Sequence, residues 1–168
     1  NSSSMYQIVV KVNKDNFIIC IDSSGESLHK RGYRTHATAA PIKETLAAAM
    51  VKLSDWTPER PLIDPFCGSG TIAIEAAMIA HNIAPGLKRT FAFQNWSWMD
   101  HKEISEIYDD AKKRQKALEK LPIYCFDIDP EALKISQYNA KKAGFENINF
   151  KRSDFQELDF TRFENATF

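Results

Sequence analysis

The chain reads as an α/β fold, a parallel sheet with flanking helices, preceded by a β-hairpin. Three observations predict it. From Leu62 onward, short apolar runs alternate with helix-forming segments in the order strand, helix, strand, helix, strand, which requires crossover connections and hence parallel strands. The three runs, "LID", "IYCFDID" and "INFKRSDF", each finish at an acid: Asp64, Asp127 and Asp154. Upstream, "YQIVVKV" and "FIICID" flank the turn residues "NKDN", which predicts a hairpin over Tyr6 to Asp22.

The elements follow in order. "NSSS" is small and polar and reads as a frayed end. After the hairpin, "SSGESLHKRGYRTH" is a loop broken by Gly25 and Gly32. In "APIKETLAAAMVKL" Pro41 suits a first helical position, and Ile42, Leu46, Ala49, Met50 and Leu53 repeat at helical spacing as one apolar face. "SDWTPERP" ends that helix, and "LID" enters the glycine turn as a buried strand. "TIAIEAAMIAH" is a strong helix former. "NIAPGLKRTFAFQNWSWM" has no clear period and reads as a long loop in which Trp96 and Trp98 serve packing. "DHKE" predicts a capping box, Asp100 with Glu103 reaching back, opening a helix whose apolar side runs through Ile104, Ile107, Ala111, Leu118 and Leu121. After "IYCFDID", Asp129 and Pro130 cap and start the next helix, which Gly144 ends with Phe145 placed for a Schellman contact.

Composition narrows the function classes. Lysine plus arginine and aspartate plus glutamate both number 22, so there is no whole-chain basic field for nucleic acid, although a local patch is compatible with neutrality. Cys20, Cys67 and Cys125 lie far apart and form no CxxC pair, which points to reduced, buried thiols in a cytoplasmic setting rather than to a zinc or redox motif. His29, His81 and His101 show no metal spacing, so no metal is expected. No apolar run is long enough to span a bilayer, and no membrane partner is expected.

The stretch "DPFCGSGTIAIEAA", Asp64 to Ala77, carries the chemistry. A P-loop would end in Gly-Lys-Ser/Thr, and this turn has no lysine, which argues against a triphosphate. Gly68, Gly70 and Ala73 fit G-x-G-x-x-A, a sign only that backbone approaches a ligand beside a helix N-terminus. Asp64 decides the ligand's charge pattern. A pyrophosphate gains nothing from a fixed carboxylate, whereas a zwitterion gains from both ends. S-adenosylmethionine is such a ligand. Its carboxylate suits the free N–H groups at Thr71, its ammonium suits Asp64, its ribose hydroxyls suit Asp127 and its adenine amine suits Asp154, with Ile128 and Phe155 against the ring. In a parallel sheet all three aspartates face one crevice at the carboxyl ends of the strands.

Longer segments carry a resemblance. "DPFCGSGTIAIEAAMIAHNIAPGLKRTFAFQNW", "SGESLHKRGYR" and "APIKETLAAAMVKLSDW" closely resemble the class I methyltransferases that carry a THUMP domain. Members are labelled N6-adenine-specific DNA methylases, and characterised relatives modify the N2 amine of guanine in large-subunit rRNA. The resemblance runs from Val9 to Phe155, and "AAMIAHNIAPGLKR" and "LHKRGYR" are not general methyltransferase features. It implies a Rossmann-like class I methyltransferase fold, S-adenosylmethionine as donor and an RNA base amine as acceptor. The donor site is then Asp64, Phe66, Gly68, Ser69, Gly70, Thr71, Asp127, Ile128, Asp154 and Phe155. The family's catalytic Asn/Asp-Pro-Pro-Tyr loop is absent, since the chain stops at "FENATF" where a fourth strand would begin. The chain therefore reads as a truncated, cofactor-binding half, inactive alone, with residues 1–40 as hairpin and connecting loop and 41–168 as the donor-binding unit. No catalytic residue is assigned within it, and rRNA is the expected partner of the intact protein.

"HKRGYRTH" stays open between two readings. Lys30, Arg31 and Arg34, with Tyr33 and His36, form a small basic–aromatic patch able to contact RNA phosphates. The same arginines could instead pair with nearby acids and hold the loop to the core. Alternatives for the whole chain are a DNA adenine-N6 methyltransferase, a nucleotide-binding oxidoreductase domain, and a non-catalytic RNA-binding module.

Overall fold

The computed structural model describes residues 5–36 and 40–168; the opening "NSSS" lies outside them. Strands β1 (Gln7–Asn13) and β2 (Asn16–Asp22) pair antiparallel around a two-residue turn in which Lys14 takes a positive φ of 51°. The hairpin matches the sequence expectation. Its register sets Ile8, Val10 and Val12 opposite Ile21, Ile19 and Phe17 on one face, and all six are exposed.

The α/β unit follows as α1 (Glu44–Leu53), β3 (Leu62–Asp64), α2 (Thr71–Ala80), α3 (His101–Lys113), β4 (Ile123–Asp127), α4 (Pro130–Ala143) and β5 (Asn149–Arg152). The sheet is parallel in the order β3-β4-β5. After β5 the chain returns to the other side of β3. Thr167 bridges Leu62 in parallel, donating its N–H to the Pro61 carbonyl and accepting from the Ile63 N–H, both at 2.8 Å. Strand order thus reverses at β3, which makes the carboxyl end of that strand the topological switch point where such sheets bind ligands.

The core lies between the sheet and α2, α4 and α1. α2 is buried on most sides through Ala73, Ile74, Ala76, Ala77 and Ala80, and α1 packs against it. Caps fall where local chemistry places them. Asp129 accepts from the Glu131 N–H, Pro130 occupies the first turn of α4, and Gly144 ends it at φ 103°. The Phe145 N–H then reaches back to the Ala140 carbonyl at 2.9 Å, and the Phe145 ring is buried.

Four local expectations are corrected. α1 begins at Glu44 rather than Pro41, and it buries Glu44, Ala47 and Val51, leaving Leu46, Met50 and Leu53 exposed. α1 packs on α2, and the side it buries carries Glu44, Ala47 and Val51, which leaves the more apolar stripe outward. Asp100 caps α3 through the Lys102 N–H rather than through a reciprocal box with Glu103. α3 stops at Lys113, so Leu121 reaches the core from the irregular segment before β4, and Ile107 is exposed. Cys67 and Cys125 are buried as expected, but Cys20 sits exposed on the hairpin.

Candidate functional site

The glycine turn closes over the end of the neighbouring strand. The Cys67 N–H donates to the Phe126 carbonyl at 2.9 Å, and the Gly68 N–H donates to an Asp127 carboxylate oxygen at 2.9 Å. The other Asp127 oxygen accepts from the Asp129 N–H at 3.0 Å. Each carboxylate oxygen has two lone pairs, so Asp127 keeps acceptor capacity for a ligand while it holds the turn. Gly68 and Gly70 take φ values of 51° and 78°, a region other residues enter only at a cost. Gly70 is also a contact requirement: a Cβ there would lie 2.9 Å from the Ser136 Cβ on α4. Gly70 precedes α2, which has no side-chain cap and no acid in its first turn, so its leading N–H groups remain available to an anion.

Asp64 ends β3, level with Cys125 and two residues short of Asp127 on the adjacent strand. It is 8% exposed and accepts the Phe66 N–H at 3.2 Å. Burial is the main reason its pKa rises to about 6; the nearby Asp127 charge adds to the rise and the Phe66 N–H opposes it. A buried carboxylate without a cation is costly. It is a group that a ligand ammonium would relieve.

Asp154 sits two residues beyond β5. One of its oxygens caps the short helical turn Phe155–Glu157 through the Gln156 N–H at 3.0 Å. The Ser153 N–H donates to the Asp127 carbonyl at 3.1 Å, which keeps this segment beside the end of β4. Phe66 from the glycine turn stacks on Phe155 with ring centroids 5.0 Å apart. Phe66, Ile128 and Phe155 are all exposed large apolar residues. The structure therefore gathers the Asp64, Asp127 and Asp154 segments and this apolar trio at the carboxyl edge of the sheet. A concavity of about 1120 Å³ lies elsewhere, beside β4 and β5, and is lined by Tyr124, Phe150 and Phe163.

The basic patch divides. Arg31 lies 3.5 Å from the buried Glu75, which also accepts the Tyr33 hydroxyl at 3.0 Å. Arg34 donates to the Thr71 hydroxyl at 2.6 Å and the Ile42 carbonyl at 2.7 Å, and lies 3.5 Å from Glu44. Both arginines face inward, and Tyr33 belongs to the core. Lys30 is 57% exposed and pairs with Glu26. Sequence reasoning missed the polar groups behind the turn. Asn139, fully buried on α4, donates to the Ser69 and His36 carbonyls at 3.1 Å each. Its signal was an amide one turn from Ser136 on an otherwise apolar face. Among the described residues, no cluster of three or more His, Cys, Asp or Glu could hold a metal, and no helix is long and apolar enough to cross a membrane.

Residues 31–167 match the family model described as "UPF0020: RMKL-like, methyltransferase domain". The chain is 46% identical over 157 residues to "Putative RNA methyltransferase YpsC" of Bacillus subtilis (strain 168), covering 93% of this chain and 40% of that protein. It is 39% identical to "Ribosomal RNA large subunit methyltransferase K/L" of Vibrio parahaemolyticus, covering 95% of this chain and 24% of that protein. The crystal structure of SMU.472, "a putative methyltransferase complexed with SAH", superposes with a TM-score of 0.86 at 42% identity, covering 92% of this chain and 40% of that one. The chain thus spans less than half the length of these relatives.

Proposed function

The chain belongs to the UPF0020 RMKL-like methyltransferase domain family, and from that premise we propose that it holds the methyl donor, S-adenosylmethionine, for transfer to a base amine of large-subunit rRNA. The observation that carries this reading is the buried Asp64, which has no ion-pair partner among the described residues, at the start of the turn that leads into an uncapped helix N-terminus. One carboxylate and one anion site, adjacent, suit the ammonium and carboxylate of one amino acid. The relative complexed with SAH supports the same ligand.

In this reading Asp64 pairs with the ammonium and the N–H groups at Thr71 take the carboxylate. Asp127 accepts the ribose hydroxyls on its remaining lone pairs, and Asp154 accepts the adenine amine. Ile128 and Phe155 flank the ring, and Phe66 moves off Phe155 or stacks with it at the rim. Ser69, Gly68 and Gly70 supply the turn that makes the approach close. The bound donor supplies an electrophilic methyl group. These residues orient it, and orientation is the larger share of catalysis in such a transfer.

Guanine N2 is the acceptor we favour, because the K/L relative is named for large-subunit rRNA. Of the three basic side chains Lys30, Arg31 and Arg34, Lys30 faces solvent where it could meet a phosphate, whereas Arg31 and Arg34 pair inward with Glu75 and Glu44. Residues 41–168 form the donor-binding unit, with Tyr33 as an anchor from the preceding loop.

Calorimetry with S-adenosylhomocysteine and with NAD tests the donor. Binding of the former alone is expected, and binding of NAD alone would overturn the reading. Methyl transfer to rRNA fragments against duplex DNA, with the modified base identified by mass spectrometry, tests the acceptor; transfer to DNA adenine would replace guanine N2.

A further inference from the structure

Arg34 stands behind the donor site rather than in it. We propose that Arg34 is a positioning residue for the end of the site that takes the donor's carboxylate. The inference rests on the proposed reading of the α2 N-terminus as the seat of that carboxylate.

Its guanidinium joins three segments that meet there. One nitrogen donates both to the Ile42 carbonyl, just before α1, and to the hydroxyl of Thr71, the first residue of α2. The Nε atom lies 3.5 Å from Glu44, the first residue of α1. Thr71 in turn is 3.2 Å from the Ser69 hydroxyl in the glycine turn. One cation therefore sets the spacing of the two helix starts and the last residues of the turn.

The placement is unfavourable for a purely structural cation. A helix N-terminus carries the positive end of the helix dipole, so a guanidinium there adds like charge to like. α2 has no acid in its first turn to offset it. The pairing with Glu44 is incomplete, since Arg34 Nε and one Glu44 oxygen are buried with no hydrogen-bond partner. The guanidinium is hydrogen-bonded directly to Thr71 at 2.6 Å, so a carboxylate seated at the start of α2 would meet a cation already in contact with that helix's first residue. Arg34 is 14% exposed, so little solvent screens it.

The test compares two ligands that share the nucleoside and differ in the amino-acid moiety. Calorimetry on the wild type and on Arg34→Met would measure S-adenosylhomocysteine, which has the carboxylate, and methylthioadenosine, which lacks it. We expect Arg34→Met to lose about tenfold in affinity for the former and less than about twofold for the latter, the scale of one charge-assisted hydrogen bond. Arg34→Lys keeps the charge but not the fork, and should recover part of that selective loss; it also carries the test if Arg34→Met does not fold. An equal loss for both ligands, or none for either, would overturn the positioning role while leaving the donor reading intact. A wild type that binds neither ligand overturns both together.

Discussion

Asp127 at the end of β4 accepts the backbone N–H of Gly68 at 2.9 Å, although the two residues are 59 apart in sequence. This bond makes the turn and the carboxylate one unit, so the ligand proposed at Asp127 would meet a carboxylate that also holds the glycine turn.

Asp127→Ala should therefore weaken more than ligand binding. Loss of hydrogen bonds from a charged acceptor is expected to reduce S-adenosylhomocysteine affinity by about 1–3 kcal/mol. The freed Gly68 and Asp129 N–H groups should also lower stability by a similar amount. Calorimetry and urea unfolding on the same variant read the two losses. Undiminished affinity would return Asp127 to a purely structural role.

Asp64 predicts a pH dependence. Its pKa is raised in the folded state to about 6 from an ordinary 3.8, so the folded state binds a proton more tightly than the unfolded chain. Its contribution to stability is then most favourable below the ordinary value and is lost as pH rises through about 6, a penalty on the order of 3 kcal/mol at neutral pH. Asp64→Asn keeps an acceptor for the Phe66 N–H and should be more stable than the wild type at neutral pH, with the difference vanishing in acid. Donor affinity should move the other way. It should rise in the wild type as Asp64 ionises near pH 6, and the asparagine variant should lose that rise. Urea midpoints and calorimetric affinities at several pH values check both signs.

Gly70→Ala combines two costs, a left-handed backbone at φ 78° and a Cβ 2.9 Å from the Ser136 Cβ. The backbone strain and the overpacking together should destabilise the protein by about 2–4 kcal/mol. Denaturant unfolding of this variant beside Ala73→Gly, inside α2, would separate a contact effect from a propensity effect. A change under 1 kcal/mol, within the range of about ±0.5 kcal/mol typical of surface substitutions, would mean the two helices are not so close.

The two faces of α1 make opposite predictions. Hydrophobic spacing favoured Leu46 and Met50 as the core side, yet Val51 is 4% exposed and Leu46 is 55% exposed. Val51→Ala should cost about 2 kcal/mol. Leu46→Ala should stay within about 0.5 kcal/mol. Reversed values in thermal unfolding would restore the face that periodicity suggested.

The contrast between these residues explains what could be read in advance. The turn at Gly68 and Gly70, the caps at Asp129 and Gly144, the hairpin turn and the strand-terminal Asp64 and Asp127 each depend on backbone geometry or hydrogen bonds within a few residues. Such features are written locally, so the amino-acid sequence by itself determined them, and with them the parallel α/β class. Other features depend on which surfaces meet. The buried face of α1 follows from its packing on α2 rather than from its own stripe. Arg34 finds Thr71, and Asn139 finds Ser69, only across the folded packing. Thr167 pairs beside Leu62 rather than beyond β5, and that choice makes β3 the switch point. These relations join residues far apart in the chain, and burial and Coulomb interaction set them by distance in space, so only the tertiary structure decided them.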